Sequence, residues 1–154
     1  MSDNLKAFLA MIAHSEGTSA IPGSDDGYRV IVGSTPSSPK LFASYGDHPR
    51  KLVQLRPDLS SSAAGRYQIL ARIFDAYKEQ LKLPDFSPAS QDAIAIQLIN
   101  ECHAMPDIQA GRFEDAVHKC RSRWASLPGA GYGQHEHKIA DLHAAYVEAG
   151  GVVA

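Results

Sequence analysis

The chain has 154 residues, a length that suits one core, and its 44% hydrophobic and 21% charged residues mark an ordinary globular protein, neither disordered nor fibrous. A net charge of −2 and a pI near 6.4 argue against a nucleic-acid partner and against stable association with an anionic membrane. Met1-Ser2-Asp3-Asn4 carries no basic n-region, and the apolar stretch from Ala7 to Ala13 is too short and too amphipathic for a secretory signal or a membrane span. The expectation is a protein made in a cytoplasm that stays there unless another factor lets it out. Cys102 and Cys120 are then expected as free thiols.

Leu5, Phe8, Leu9 and Ile12 fall at i, i+3, i+4 and i+7, which predicts an amphipathic helix over residues 3–15. Gly17, Thr18, Pro22, Gly23 and Asp25-Asp26-Gly27 then break the pattern into a loop. Tyr28, Val30 and Val32 alternate, Ser34 to Pro39 reads as a turn, and Lys40 to Tyr45 returns, so a small hairpin is expected here. The stripe Tyr67, Leu70, Phe74, Tyr77 and Leu81 predicts a helix from Arg66 that ends before Pro84. Ser87 as N-cap and Pro88 at the first helical position open the next helix, Ala89 to about His103. Its Ala93, Ile94, Ala95, Ile96, Leu98 and Ile99 put apolar residues on most sides, as in a buried central helix. Shorter helices are expected at 107–110 and 112–122, and a last one from about Gln134 to Ala149, closed by Gly150-Gly151. The predicted fold class is α+β, a mostly helical single domain over residues 1–154 with one small sheet in the N-terminal third.

Glu16 lies four residues past Ile12, on the extension of the apolar stripe of the first helix, and Gly17 follows it directly. An unpaired carboxylate at the end of an inward-facing stripe is costly to bury, and the usual escape is a raised pKa. A carboxyl group kept protonated near neutral pH can protonate a glycosidic oxygen; lysozyme is the standard example of this logic. On pattern alone, a surface glutamate at a fraying helix end is the competing reading.

The stretches KAFLAM, HSEGT, GYRVIVG, DHPRKL, AGRYQIL, DFSPASQDA, WASLPGAGYGQ and EAGG occur in this order between Leu5 and Gly151. In these the chain resembles the lambda-type endolysins of bacteriophages. The resemblance implies a lysozyme-like fold with a glycan cleft between a helical lobe and a lobe carrying the hairpin. It also implies lytic transglycosylase activity on the bond from N-acetylmuramic acid to N-acetylglucosamine in peptidoglycan, with Glu16 of HSEGT as the catalytic acid. No cofactor is implied. The implied partners are glycan strands, met by a monomer that leaves the host cytoplasm for the periplasm and cell wall through a holin-type pore.

Other motifs take their place beside this. Gln68, in AGRYQ, offers an amide to a sugar or to Glu16, whereas Tyr67 reads as a core residue at a helix start. Pro128 to Gln134 is rich in glycine, and Tyr132 with Gly133 and Gln134 is expected to form a substrate-binding cleft lip, where a ring packs on a sugar face. Asp47 to Leu52 reads either as the opposite lip or as a salt-bridged brace. Three positions depart from the family pattern: the turn Ser34 to Pro39 is longer, Arg29 replaces an acidic residue, and His135 replaces an aromatic hydrocarbon side chain. The pair His135 and His137 raises a zinc site, but two residues apart on a helix they point about 200° apart and do not converge.

Hydrolysis usually needs a second carboxylate at a defined separation. Asp25 and Asp26 stand nine and ten residues beyond Glu16, a gap resembling the Glu/Asp pair of other phage lysozymes. Those also carry a threonine six residues after the aspartate, where this chain has Ile31. Both aspartates precede a glycine and fit a turn without any chemistry. A transglycosylase needs Glu16 alone; a hydrolytic muramidase using Asp25 or Asp26, and a non-catalytic peptidoglycan-binding module, are the alternatives.

Overall fold

Helix α1 (Asp3–Glu16) begins where Ser2 Oγ accepts the Leu5 amide at 3.2 Å, satisfying one of the amides a helix start leaves open. Its face of Leu5, Phe8, Leu9 and Ile12 is buried, and Gly17, at a φ of 76°, ends it. The structure is a computed structural model describing residues 1–130 and 136–154. It resolves into two units, one of Gly17–Ile94 and one of Met1–Glu16 together with Ala95–Ala154. Among the described residues there are six helices and one two-stranded sheet, an α+β arrangement. No described helix is long and apolar enough to cross a membrane.

In the Gly17–Ile94 unit the sheet is not where alternation placed it. Strands β1 (Val53–Arg56) and β2 (Leu59–Ser61) pair antiparallel across Pro57-Asp58, with Val53 opposite Ser61 and an irregularity before Arg56. The expected hairpin of Tyr28–Val32 with Lys40–Tyr45 shrinks to a bridge, Val30 to Leu41, held by Ile31 N to Lys40 O at 2.8 Å and Phe42 N to Arg29 O at 3.0 Å. The reason is that Val30 and Ile31, adjacent in sequence, are both buried, so the segment does not alternate. Ile31 bridges to Ala64 instead, and the ladder is split between two partners. The long turn closes tightly, Thr35 and Ser38 exchanging backbone hydrogen bonds. Arg29 braces the return segment: it donates to the Phe42 and Ala43 carbonyls and lies 4.1 Å over the Tyr45 ring.

Helix α2 (Ala71–Leu81) starts five residues later than its stripe implied. Gly65 and Gln68 both have positive φ, 82° and 52°, and Ala64 and Ile69 bond to each other across them, so 65–69 is a turn. Gly65 is obligatory there: a Cβ would meet Gln91 Oε1 at 2.3 Å. Buried Gln91 knits the unit together, accepting from the Arg66 amide at 2.9 Å and donating to the Phe86 and Tyr28 carbonyls at 2.9 and 3.1 Å. Helix α3 (Pro88–Glu101) opens as its Ser-Pro signal predicts, with Ser87 Oγ accepting the Ser90 amide at 3.4 Å. Phe42, Phe74 and Phe86 form the apolar centre, with Phe74 edge-on to Phe86 at 5.0 Å. His48 lies among them, 2% exposed, accepting from Arg50 N at Nδ1 and therefore donating from Nε2 to Ile69 O at 2.8 Å. Burial pulls its pKa down. Arg50 pairs with Asp47 and with Asp75, as a salt-bridged brace would.

In the other unit α4 (Met105–Gln109) and α5 (Phe113–Cys120) follow α3, and α6 (Ile139–Glu148) packs on α1. The last helix starts at Ile139, after an extended Lys138, so His137 precedes it. Phe113 joins the elements, edge-on to Phe8 at 6.3 Å and stacked on Tyr146 at 4.7 Å. Asp107 is 4% exposed and takes both Arg112 (2.8 Å) and Lys119 (2.6 Å), so its buried charge is paired.

Candidate active site

Glu16 is the last residue of α1, and it continues the helix face whose Leu5, Phe8, Leu9 and Ile12 are locked in the core. Part of the residue meets solvent, but the carboxyl group is closely surrounded by protein. Desolvation raises its pKa from 4.5 to about 7; the hydrogen bond from Ser126 opposes the rise without cancelling it. The Ser126 hydroxyl donates to Glu16 Oε1 at 3.3 Å, and its own oxygen stands 2.7 Å from Ser15 Oγ. With the carboxylate ionised, the chain of donors therefore runs from Ser15 through Ser126 to Glu16. Such a group is half protonated near neutrality, and it can give up a proton and take one back within a single reaction.

Ser126 is held by its neighbours. Trp124 and Leu127 on either side are buried, and Leu127 N bonds to Trp124 O at 3.1 Å, closing a turn. The Ser126 carbonyl accepts the His137 amide at 3.0 Å, and Gly129 N donates to Glu136 Oε1 at 3.0 Å. The chain thus departs from Ser126 and comes back to it at His137. Tyr132, Gly133 and Gln134, expected to bind substrate, lie outside the described residues, as does His135.

Gln68 belongs to the other unit, where its amide nitrogen donates to Gly65 O at 2.9 Å and closes its own turn. Asp25 and Asp26, with φ of 54° and 56°, are exposed and already engaged. Asp25 Oδ2 accepts the Tyr45 hydroxyl at 2.5 Å, and Asp26 pairs with Arg66 at 3.5 Å. Tyr67 is core, as its place before a helix implied: its hydroxyl donates to Asp92 at 2.7 Å, and the Tyr28 hydroxyl donates to the same oxygen at 2.8 Å. His14 and His137 have ring centroids 5.7 Å apart. Among the described residues no three His, Cys, Asp or Glu side chains are grouped to hold a metal. Neither Ser126 nor Ser15 carries a sequence signal that marks it as part of this hydrogen-bonded chain.

A helix-borne, half-protonated carboxyl group in an α+β fold of this kind defines a lysozyme-like protein. The chain belongs to the endolysin family of peptidoglycan-degrading enzymes, whose model matches residues 6–153. It is 53% identical to the endolysin of Escherichia phage lambda over 99% of this chain and 95% of that one. It is 49% identical to the endolysin of Escherichia phage P2, covering 98% and 95%. Among solved structures it superposes on bacteriophage lambda lysozyme complexed with a chitohexasaccharide with a TM-score of 0.94 at 52% identity, covering 100% of this chain and 98% of that one. A second structure of lysozyme from bacteriophage lambda gives a TM-score of 0.90 with the same coverage.

Proposed function

We propose that this endolysin cleaves the β-1,4 bond between N-acetylmuramic acid and N-acetylglucosamine by lytic transglycosylation, with Glu16 as its single acid and base. The observation that carries the reading is the enclosed Glu16 carboxyl, raised to about 7 with the neutral Ser126 hydroxyl donating to it. Protonated Glu16 gives its proton to the leaving glycosidic oxygen as the bond to C1 breaks. The 2-acetamido group of the muramic sugar shelters the positive charge that develops at C1, a substrate-assisted course. The Glu16 carboxylate then takes the proton of the same sugar's C6 hydroxyl as that oxygen bonds to C1. A 1,6-anhydro ring results, no water is consumed, and Glu16 is protonated again. The engagement of Asp25 with Tyr45 and of Asp26 with Arg66 favours this course over one that needs a second free carboxylate.

Glycan binding is supported by the sugar complex of the related lambda lysozyme. Tyr132, Gly133, Gln134 and Gln68 are assigned to substrate contact on this reading. The protein works as a monomer without a cofactor, is made in the host cytoplasm, and reaches the cell wall through a holin-type pore. The deciding experiment is product analysis. Purified peptidoglycan is digested and treated with borohydride, and the fragments are weighed by mass spectrometry. Muramic ends that resist reduction and are lighter by one water are expected. Predominantly reducible ends would mean hydrolysis, and absence of cleavage would mean a binding module.

A further inference from the structure

In the unit of Met1–Glu16 and Ala95–Ala154, two helix ends bring the chain's two cysteines together. Helix α5 ends on Cys120, which is fully buried, and Cys102 directly follows the last residue of α3 and is half-buried. Both are free thiols. Glu101, next to Cys102, pairs with Arg123, three residues past Cys120, at 3.2 Å, which ties the two helix ends side by side. The two thiols are hydrogen-bonded to each other, and Ser122 and Arg123 also donate to the Cys102 sulfur. A structural buried thiol needs none of this. Here one sulfur reaches solvent, is surrounded by donors and a guanidinium that stabilise its anion, and has a second sulfur in contact behind it. The thiolate is the nucleophile of disulfide exchange, so the arrangement has an attacking and a resolving partner.

We propose that Cys102 and Cys120 are a redox-active dithiol that closes to an internal disulfide by exchange with a small disulfide such as oxidised glutathione. The Cys102 thiolate attacks one sulfur of the reagent, its S–S bond breaks, and the first glutathione leaves as a thiolate that takes up a proton. Cys120 then loses its proton and attacks the Cys102 sulfur, expelling the second glutathione. One protein dithiol and one disulfide reagent become one protein disulfide and two thiols, with no other oxidant. The donors around Cys102 hold its pKa below the ordinary thiol range. The Cys120 thiol is pushed up first by its bond to Cys102, a restraint that ends when the Cys102 sulfur enters the mixed disulfide. The bond would staple the ends of α3 and α5 across the stretch that contains α4, shortening the freedom of the unfolded chain. None of this depends on how glycan is cleaved.

The test uses the full chain, freshly reduced, incubated at neutral pH with oxidised glutathione, then denatured, alkylated and weighed intact. The expected product is monomeric, lighter than the reduced protein by two hydrogen atoms, with neither thiol alkylated and no glutathione retained. Two alkylated thiols, a lasting glutathione adduct, or a disulfide between chains would each overturn the proposal. Cys120→Ser is expected to trap one glutathione on Cys102, and Cys102→Ser to slow the reaction roughly tenfold or more, because the remaining thiol is buried. The mass of the unmutated chain decides the matter even if a variant does not fold.

Discussion

Replacing Glu16 by Gln keeps the shape of the side chain and an oxygen for the Ser126 hydroxyl, but removes the charge. The stability of that variant relative to the parent depends on pH in a direction that burial dictates. Below pH 4.5 the carboxyl group is protonated in the folded and the unfolded chain alike, and it costs nothing. Between 4.5 and about 7 the unfolded chain releases the proton first, so the parent loses stability as pH rises. Above 7 the whole cost is present, roughly 3 kcal/mol for a rise from 4.5 to about 7. Glu16→Gln should therefore be more stable than the parent by up to about 3 kcal/mol at pH 8, and by under about 1 kcal/mol at pH 5. For a chain of 154 residues this corresponds to a gain in Tm of roughly 6–12 °C at pH 8. Guanidinium unfolding followed by circular dichroism at the two pH values measures both. A difference that does not change between pH 5 and pH 8, or a variant less stable than the parent at pH 8, would refute the burial of this carboxyl group. The same variant should lose ~10²–10⁴-fold or more in lytic rate on permeabilised Gram-negative cells, so stability and activity would move in opposite directions.

Ser126→Ala removes the hydrogen bond that holds Glu16 down, so the alkaline limb of the kcat/KM profile should move to higher pH by up to about one unit; an unmoved limb would separate Ser126 from the acid. Gly65→Ala forces a Cβ against Gln91 Oε1 at a φ of 82° and should cost about 2–4 kcal/mol in urea unfolding, whereas a loss well under 1 kcal/mol would mean the turn yields easily. Asp25→Asn and Asp26→Asn should both keep lytic activity within about threefold of the parent, since substitutions away from the reacting groups change little; a collapse of turnover in either would restore the hydrolytic reading. Tyr132→Ala should weaken glycan binding by about 1–3 kcal/mol with little change in Tm. A large drop in Tm with unaltered binding would make Tyr132 a core residue.

Local signals were legible where a single element carries its own cause. Helix α1 was written in the spacing of Leu5, Phe8, Leu9 and Ile12, and α3 in Ser87-Pro88, because periodicity and capping act within a few residues. The enclosure of the Glu16 carboxyl was legible for the same reason, as a charge placed on an apolar stripe just before a glycine. The hairpin at 28–45 was misplaced because Val30 and Ile31 serve two different partners, and that competition is decided by Ala64, far along the chain. Alternation in Val53 and Leu55 before Pro57-Asp58 was the available sign of the true strands. The start of α2 shifted because the turn at 65–69 is imposed by buried Gln91, a tertiary neighbour that overrides the stripe from Tyr67. Ser126 was beyond reach for the same physical reason: it touches Glu16 across 110 intervening positions, and no local preference records such a contact.

The unit that holds Glu16 is discontinuous: its first helix is made early, and its remainder, Ala95–Ala154, follows only after all of Gly17–Ile94. A nascent chain leaving the ribosome can therefore complete the Gly17–Ile94 unit while α1 still lacks α6, the helix it packs against. Through that interval Glu16 has no Ser126 to donate to it, and its carboxyl group titrates as that of any solvated glutamate. The burial that lifts this pKa to about 7 needs the Ala95–Ala154 part of the unit, which is made last. Truncated or partly translated chains would carry this glutamate ionised at neutral pH, without the proton that a general acid must hold.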